Sequence, residues 1–128
     1  MTKFVKKIRK MTYKNPRYAI CVGDAFGHLD EITDLFFTVF VFDYQNEELK
    51  KKNIVYMENE KFLTSIPDVD VIFVNNDKKE WLKPLQAVWR RYNSVLVIEG
   101  EPFADKFLKH EQYKIVIIEK KFHIWKIT

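Results

Sequence analysis

Apolar and polar positions along the chain alternate between short continuous apolar runs and amphipathic stretches. Arg17 to Val22 (RYAICV) is a short apolar run that enters a glycine-containing loop and reads as a strand. His28 to Phe36 follows with Leu29, Ile32 and Leu35/Phe36 at helical spacing, and with Asp30 and Glu31 in the first turn, where the helix dipole favours acids. Thr38 to Phe42 (TVFVF), β-branched and aromatic, predicts a second strand ending at Asp43. Asn46 to Lys52 has the composition of two helical turns, with Glu47 and Lys51 spaced for an i,i+4 pair. Ile54 to Met57 predicts a third strand, Lys61 to Ile66 a brief helical piece before Pro67, and Val69 to Val74 a fourth strand. Asn75-Asn76-Asp77 then caps the strongest helix, in which Trp81/Leu82, Leu85, Val88/Trp89 and Tyr92 share a face and Pro84 lies in the first turn. Ser94 to Ile98 predicts a fifth strand and Glu99 to Pro102 a turn. Ala104 to His110 reads as a short helix, and Tyr113 to Glu119 with Phe122 to Ile127 as a hairpin around Lys120-Lys121.

Five strands alternating with helices imply a mostly parallel sheet covered on both faces. The expected fold is α/β: a three-layer, Rossmann-like sandwich with a C-terminal antiparallel hairpin, forming one domain over residues 1–128, of which 1–16 are a basic arm or helix. Right-handed crossovers bring the βα loops to one sheet edge, and ligands of such sheets bind there, near the point where strand order reverses. That edge holds Gly23 to His28, Asp43, Glu58/Asn59, Asn75 to Asp77 and Glu99/Gly100.

Hydrophobic residues make up 47% of the chain, enough for a sizeable, aromatic-rich core. The single cysteine, Cys21, rules out an intrachain disulfide framework and sits in an apolar run, so it reads as a buried thiol. No segment approaches the ~18 apolar residues of a membrane span. The N-terminal stretch does not read as a signal peptide, so the expected location is cytoplasmic, without membrane contact. The net charge is +4, but Lys3, Lys6, Lys7, Arg9, Lys10, Lys14 and Arg17 crowd the first 17 residues with no acid among them. This arm has the charge to touch nucleic acid or an acidic partner. Equally, Phe4, Val5, Ile8 and Met11 give it one apolar side, as in a solvated amphipathic helix.

The chain has three glycines, and Gly23 and Gly27 both fall in the first βα loop, Gly23-Asp24-Ala25-Phe26-Gly27. Glycine permits positive φ and close approach of a ligand to the backbone, and helix-start amides then face that ligand. Asp43 ends the next strand 20 residues after Gly23, the distance at which nucleotide-type folds hold ribose hydroxyls. In this order "ICVGDAFGHLDEI", "VFVFDYQ", "VYMENE" and "VDVIFVNNDKKEWLKPLQAVW", followed by "SVLVIEG", resemble the successive motifs of class I S-adenosylmethionine-dependent methyltransferases, over about residues 17–128. The resemblance implies that Gly23, Ala25 and Gly27 stand for the family's G-x-G-x-G and admit the amino-acid end of S-adenosylmethionine. It implies a ribose contact for Asp43, places Glu58 and Asn59 near the adenine, and sets Asn75 to Asp77 closest to the methyl group. It leaves the catalytic base unknown. Ala25 replaces the middle glycine, Cys21-Val22 stand where an acid often precedes the loop, and Asn75-Asn76-Asp77-Lys78 replaces the amide-proline motif of amino-methylating members.

Two other readings stand beside this one. A non-catalytic Rossmann-like binding or assembly module is favoured if Ala25 and Phe26 fill the cofactor cleft. "GDAFGHLDEI", "FDYQ" and "VNND" also resemble boxes of calcineurin-like metallophosphoesterases, although Phe26 replaces a histidine and the chain holds only His28, His110 and His123. Several candidates have a structural alternative: helix capping for Asp24, Asn75 and Asp77, a solvated strand end for Asp43, turn positions for Glu58 and Asn59, and a surface position for His28 rather than a base. Trp81 and Trp89 read as sheet-covering core residues.

Overall fold

The computed structural model describes residues 2–11, 17–99, 113–119 and 122–127. Helix α1 (Lys3–Met11) precedes strand β1 (Tyr18–Val22), a 3₁₀ turn (Ala25–Gly27) and the five-residue helix α2 (Leu29–Thr33). Then come β2 (Thr38–Phe42), β3 (Ile54–Met57), a 3₁₀ turn (Glu60–Ser65), β4 (Val69–Val74), another 3₁₀ turn (Asn76–Trp81), α3 (Leu82–Tyr92), β5 (Val95–Glu99), β6 (Tyr113–Glu119) and β7 (Phe122–Ile127).

The strands form one sheet in the order β3-β2-β1-β4-β5-β7-β6. β1 to β5 pair in parallel, with Tyr18 opposite Thr38 and Val22 opposite Val74. β7 runs antiparallel to both β5 and β6. The order reverses between β1 and β4, which makes the gap above these two strands the switch point of the sheet.

Continuous apolar runs serve a sheet buried on both sides, because alternate residues face opposite layers. Ala19, Cys21, Val39, Val41, Val71 and Phe73 pack under α1 and α2 with Phe4, Val5, Ile8 and Ile32. Ile20, Val22, Phe42, Ile72, Val74 and Leu96 pack under α3 with Leu82, Leu85, Val88 and Trp89. Trp81 packs partly buried against Phe42, so both tryptophans cover the sheet. The apolar side of α1 is docked: Phe4, Val5 and Ile8 are each 1% exposed, and burying each is worth about 1.5–3 kcal/mol. The basic segment is thus an ordered helix over residues 3–11, and its outer face carries the charge.

The chain departs from its local pattern in four places. Residues 46–52 are not helical. Lys51 does not pair with Glu47; it reaches back to Asp30 (2.7 Å) and Asp34 (2.9 Å) and donates to the Asp30 carbonyl (3.0 Å). Asn46 forms an Asx turn with the Glu48 amide (3.0 Å), so local side-chain bonding competes with helix there. Helix α2 stops at Thr33 rather than Phe36, because Asn53 Nδ2 takes the Thr33 and Phe36 carbonyls (2.6 and 3.1 Å) that a longer helix leaves open. The piece before Pro67 is a 3₁₀ turn. The segment after β4 winds as 3₁₀ before α3, with Lys78 in a non-helical conformation. The predicted helix over Ala104 to His110 and the Gly100 turn lie outside the described residues. No helix among the described residues is long and apolar enough to cross a membrane.

Candidate functional site

The carboxyl ends of β1, β2 and β4 are stitched together by backbone. The Gly23 amide donates to the Phe42 carbonyl (3.1 Å) and the Asn75 amide to the Val22 carbonyl (3.1 Å). Gly23 has φ +106°, and a Cβ there would lie 2.6 Å from Asn75 Cγ, so glycine is what lets Asn75 close over the strand end. Asn75 Nδ2 donates to Asp24 Oδ1 at 2.6 Å, and Asn75 Oδ1 accepts from the Phe26 amide at 3.4 Å. One asparagine therefore ties the β1 loop to the end of β4. Asp24 makes no helix-cap bond; its carboxylate is committed to this tie.

Three consecutive residues then take positive φ: Ala25 (52°), Phe26 (62°) and Gly27 (81°). Left-handed backbone costs a non-glycine residue about 1–2 kcal/mol, so Ala25 and Phe26 store strain. Packing holds them. Ala25 is fully buried, and Phe26 sits edge-on to Phe4 (5.8 Å between centroids). The His28 ring stacks on the other side of Phe4 (4.8 Å), with Nδ1 3.7 Å from Glu31. His28 is thereby a packed, partly buried member of the α1–α2 contact. The Thr2 amide and hydroxyl both donate to Glu31 (3.3 and 3.2 Å), and the amide bond is the main cause holding that carboxyl below its ordinary range.

Beside the loop opens a cleft of about 310 Å³, bounded by Asp24, Gly27, Leu29 and Asp30 on one side and by Tyr44, Asn46, Glu48 and Leu49 on the other. Neither Ala25 nor Phe26 lines it. Gly27 is exposed, and a Cβ there would meet nothing within 4 Å, so this glycine presents bare backbone. Three carboxylates, Asp24, Asp30 and Glu48, make the cleft acidic and suited to a cationic group.

Asp43 stands at the end of β2 with φ +55°, and its Oδ2 is 3.1 Å from Lys78 Nζ. The bond to Asp43 raises the Lys78 ammonium above its ordinary range. Asp43 does not line the cleft, and neither do Glu58, Asn59 or Asn75. Asn59 accepts from the Lys61 amide (2.9 Å) and caps the Glu60–Ser65 turn, while Glu58 is exposed beyond β3. The structure thus joins Gly23, Asp24, Phe26 and Asn75 directly and puts Asp43 one strand away. The sequence pattern does not flag Tyr44, Asn46, Glu48, Leu49 or Lys78. The first four lie next to the Asp43 strand end, and an Asn two residues before Glu48 is the one local signal of a turn there.

Burial, reinforced by the Asp24 charge, pushes the Cys21 thiol well above its ordinary range. Among the described residues no group of three or more His, Cys, Asp or Glu side chains is placed to hold a metal ion, so the metallophosphoesterase reading finds no ligand set there.

No family model matches the sequence, and no curated protein matches it. Solved structures do. An rRNA methylase from Streptococcus thermophilus is 11% identical with a TM-score of 0.69, over 97% of this chain and 93% of that one. A Streptococcus mutans protein assigned as a methyltransferase, solved with S-adenosylhomocysteine, is 15% identical with a TM-score of 0.68, over 97% and 94%. A precorrin-8w decarboxylase from Methanobacterium thermoautotrophicum is 14% identical with a TM-score of 0.66, over 99% and 90%. The chain has the Rossmann-like α/β fold of class I S-adenosylmethionine-dependent methyltransferases.

Proposed function

We propose that the chain is a small S-adenosylmethionine-binding, methyltransferase-like protein of the cytoplasm, with its cofactor site at the carboxyl ends of β1, β2 and β4. The observation that carries the reading is the left-handed turn Ala25–Gly27 at the switch point. It spends backbone strain to put exposed Gly27 beside an acidic cleft, while the bulky Phe26 faces the core side. Strain of this kind concentrates at functional sites. The donor set fits the cofactor. Exposed Gly27 backbone and the Asp24 carboxylate suit an amino-acid end, and the half-exposed Asp43 has its other oxygen available for a ribose hydroxyl among the described residues. When bound, S-adenosylmethionine supplies a methyl group activated on a sulfonium. The chain's own residues bind and orient: Asn75 holds the loop closed against β4, and Tyr44 walls the cleft on the β2 side. Positioning of two reactants is the main contribution such a site makes to methyl transfer. The acceptor is taken up below, from the basic face of α1.

One observation favours the non-catalytic module instead. Asp24 and Asp43 are both engaged, by Asn75 and Lys78, in this structure. Calorimetric titration of the chain with S-adenosylmethionine and S-adenosylhomocysteine separates the two. The methyltransferase reading expects micromolar binding, weakened at least ~10-fold by Asp43→Ala through loss of a charge-assisted bond. Absence of binding by folded protein refutes it and leaves the module.

A further inference from the structure

We propose that the outer face of α1 docks the phosphate backbone of double-stranded nucleic acid, beside the Gly23–Gly27 loop. That the duplex carries the methyl acceptor rests on the reading above; the docking does not. Seven of the chain's 22 basic residues fall in its first 17 positions without an acid, and the remainder, with 15 basic and 18 acidic residues, is net acidic. Positive charge is therefore concentrated on one segment. Its ordered part is α1, whose Lys3, Lys6, Lys7 and Lys10 follow the i, i+3, i+4, i+7 spacing of one helix face. Lys3, Lys6 and Lys10 are exposed and Lys7 half-exposed, and among the described residues none of the four is in an ion pair.

The row is about 10 Å long at 1.5 Å per residue. It is a rigid row, because Phe4, Val5 and Ile8 pin the opposite face to the sheet and Thr2 is bonded to Glu31. Like charges at these spacings repel one another, and a polyanion relieves that repulsion. Duplex DNA carries one charge per ~1.7 Å of axis, about six along such a row, the density that best matches four fixed lysines. Single strands are held largely by aromatic stacking, and the exposed residues of α1 are threonine, lysine and arginine, its one aromatic, Phe4, being buried. A membrane surface is disfavoured for the same reason: the apolar side of the helix is already used by the core. Phe4 links the helix to the site, since it touches both Phe26 and His28. A duplex lying on α1 therefore lies against the loop proposed to hold the methyl donor.

The test is fluorescence anisotropy of the full chain with a labelled 20-base-pair DNA duplex across 25–200 mM salt. The comparisons are the matching single strand, polyglutamate as competitor, Lys6→Gln/Lys10→Gln, and Lys83→Gln on exposed α3 as control. Four phosphate contacts predict a log–log salt slope of about −3 to −4, and the double variant should weaken binding at least tenfold and flatten the slope by about 2. Lys83→Gln should match the unsubstituted chain. Circular dichroism reports whether the variants stay folded. No duplex binding, tighter binding of the single strand, equal competition by polyglutamate, or a slope unchanged in the double variant each overturns the docking. Lys6 and Lys10 lie outside the cleft, so S-adenosylhomocysteine titration of the double variant reads the cofactor site independently. Duplex binding without cofactor binding keeps the docking and refutes the acceptor assignment.

Discussion

Gly23→Ala tests the architecture of the loop most directly. The residue has φ +106°, and the new Cβ would fall 2.6 Å from Asn75 Cγ and 2.7 Å from Oδ1. Two costs add. An alanine in that backbone conformation costs about 1–3 kcal/mol. Asn75 must also withdraw, giving up the 2.6 Å bond to the Asp24 carboxylate, which is worth about 1.5–3 kcal/mol. The expected loss is about 3–5 kcal/mol. At ~2.1 cal/mol/K per residue of unfolding entropy, this 128-residue chain should lose about 10–18 °C in Tm. Gly27→Ala is the internal control. It also has positive φ (+81°) but open space around it, so only the conformational cost of about 1–2 kcal/mol applies. Thermal and urea unfolding followed by circular dichroism measure both. The clash adds a signature: with Asn75→Ala in the background, Gly23→Ala should cost less than it does alone, as coupled neighbours do. If Gly23→Ala proves no worse than Gly27→Ala, or if its cost is unchanged by Asn75→Ala, the argued contact is not what holds the loop.

Cys21, fully buried and held protonated, should resist iodoacetamide at pH 8 in the folded chain and react at the rate of unfolding; labelling as fast as a free thiol contradicts its placement in β1. Lys51→Met should cost about 1 kcal/mol at neutral pH, since it removes two ion pairs and a carbonyl bond at a partly exposed site. Asp30 and Asp34 raise the Lys51 ammonium above its ordinary value, so this contribution is full below that value and fades as pH rises through the raised one. A Tm gap between the two chains that does not shrink at high pH, or that is absent at pH 7, rules this out.

The strands were legible because nothing but a doubly covered parallel sheet uses runs such as AICV and VIFV, and the helix of α3 because its apolar face repeats over three turns. The segment 46–52 misled because Glu47 and Lys51 are a sound local pair, while the winning partners of Lys51 lie 17 and 21 residues back on α2. Such a choice is made by tertiary geometry alone. At the site, the glycines and Asp43 announce themselves by position in the βα pattern. The Asn75–Asp24 tie and the Lys78–Asp43 pair do not, because they join residues that the chain separates by 51 and 35 positions and only the β1–β4 neighbourhood brings together. Asn59 shows the converse: its capping bond is local, and an asparagine two residues before Lys61 is what such a turn requires.

The position of β1 at the centre of the sheet has a kinetic side. Its two neighbours are β2 and β4, and the second of these ends 52 residues after β1 does. At ~5–20 residues per second of synthesis, the most apolar strand of the molecule waits about 3–10 s for the partner that completes it. Until then the strained turn after it has no Asn75 to close against. The chain must therefore carry an unfinished centre through most of its own production, and a substitution that delays β4 pairing should show itself first as aggregation of nascent chains rather than as a weakened native state.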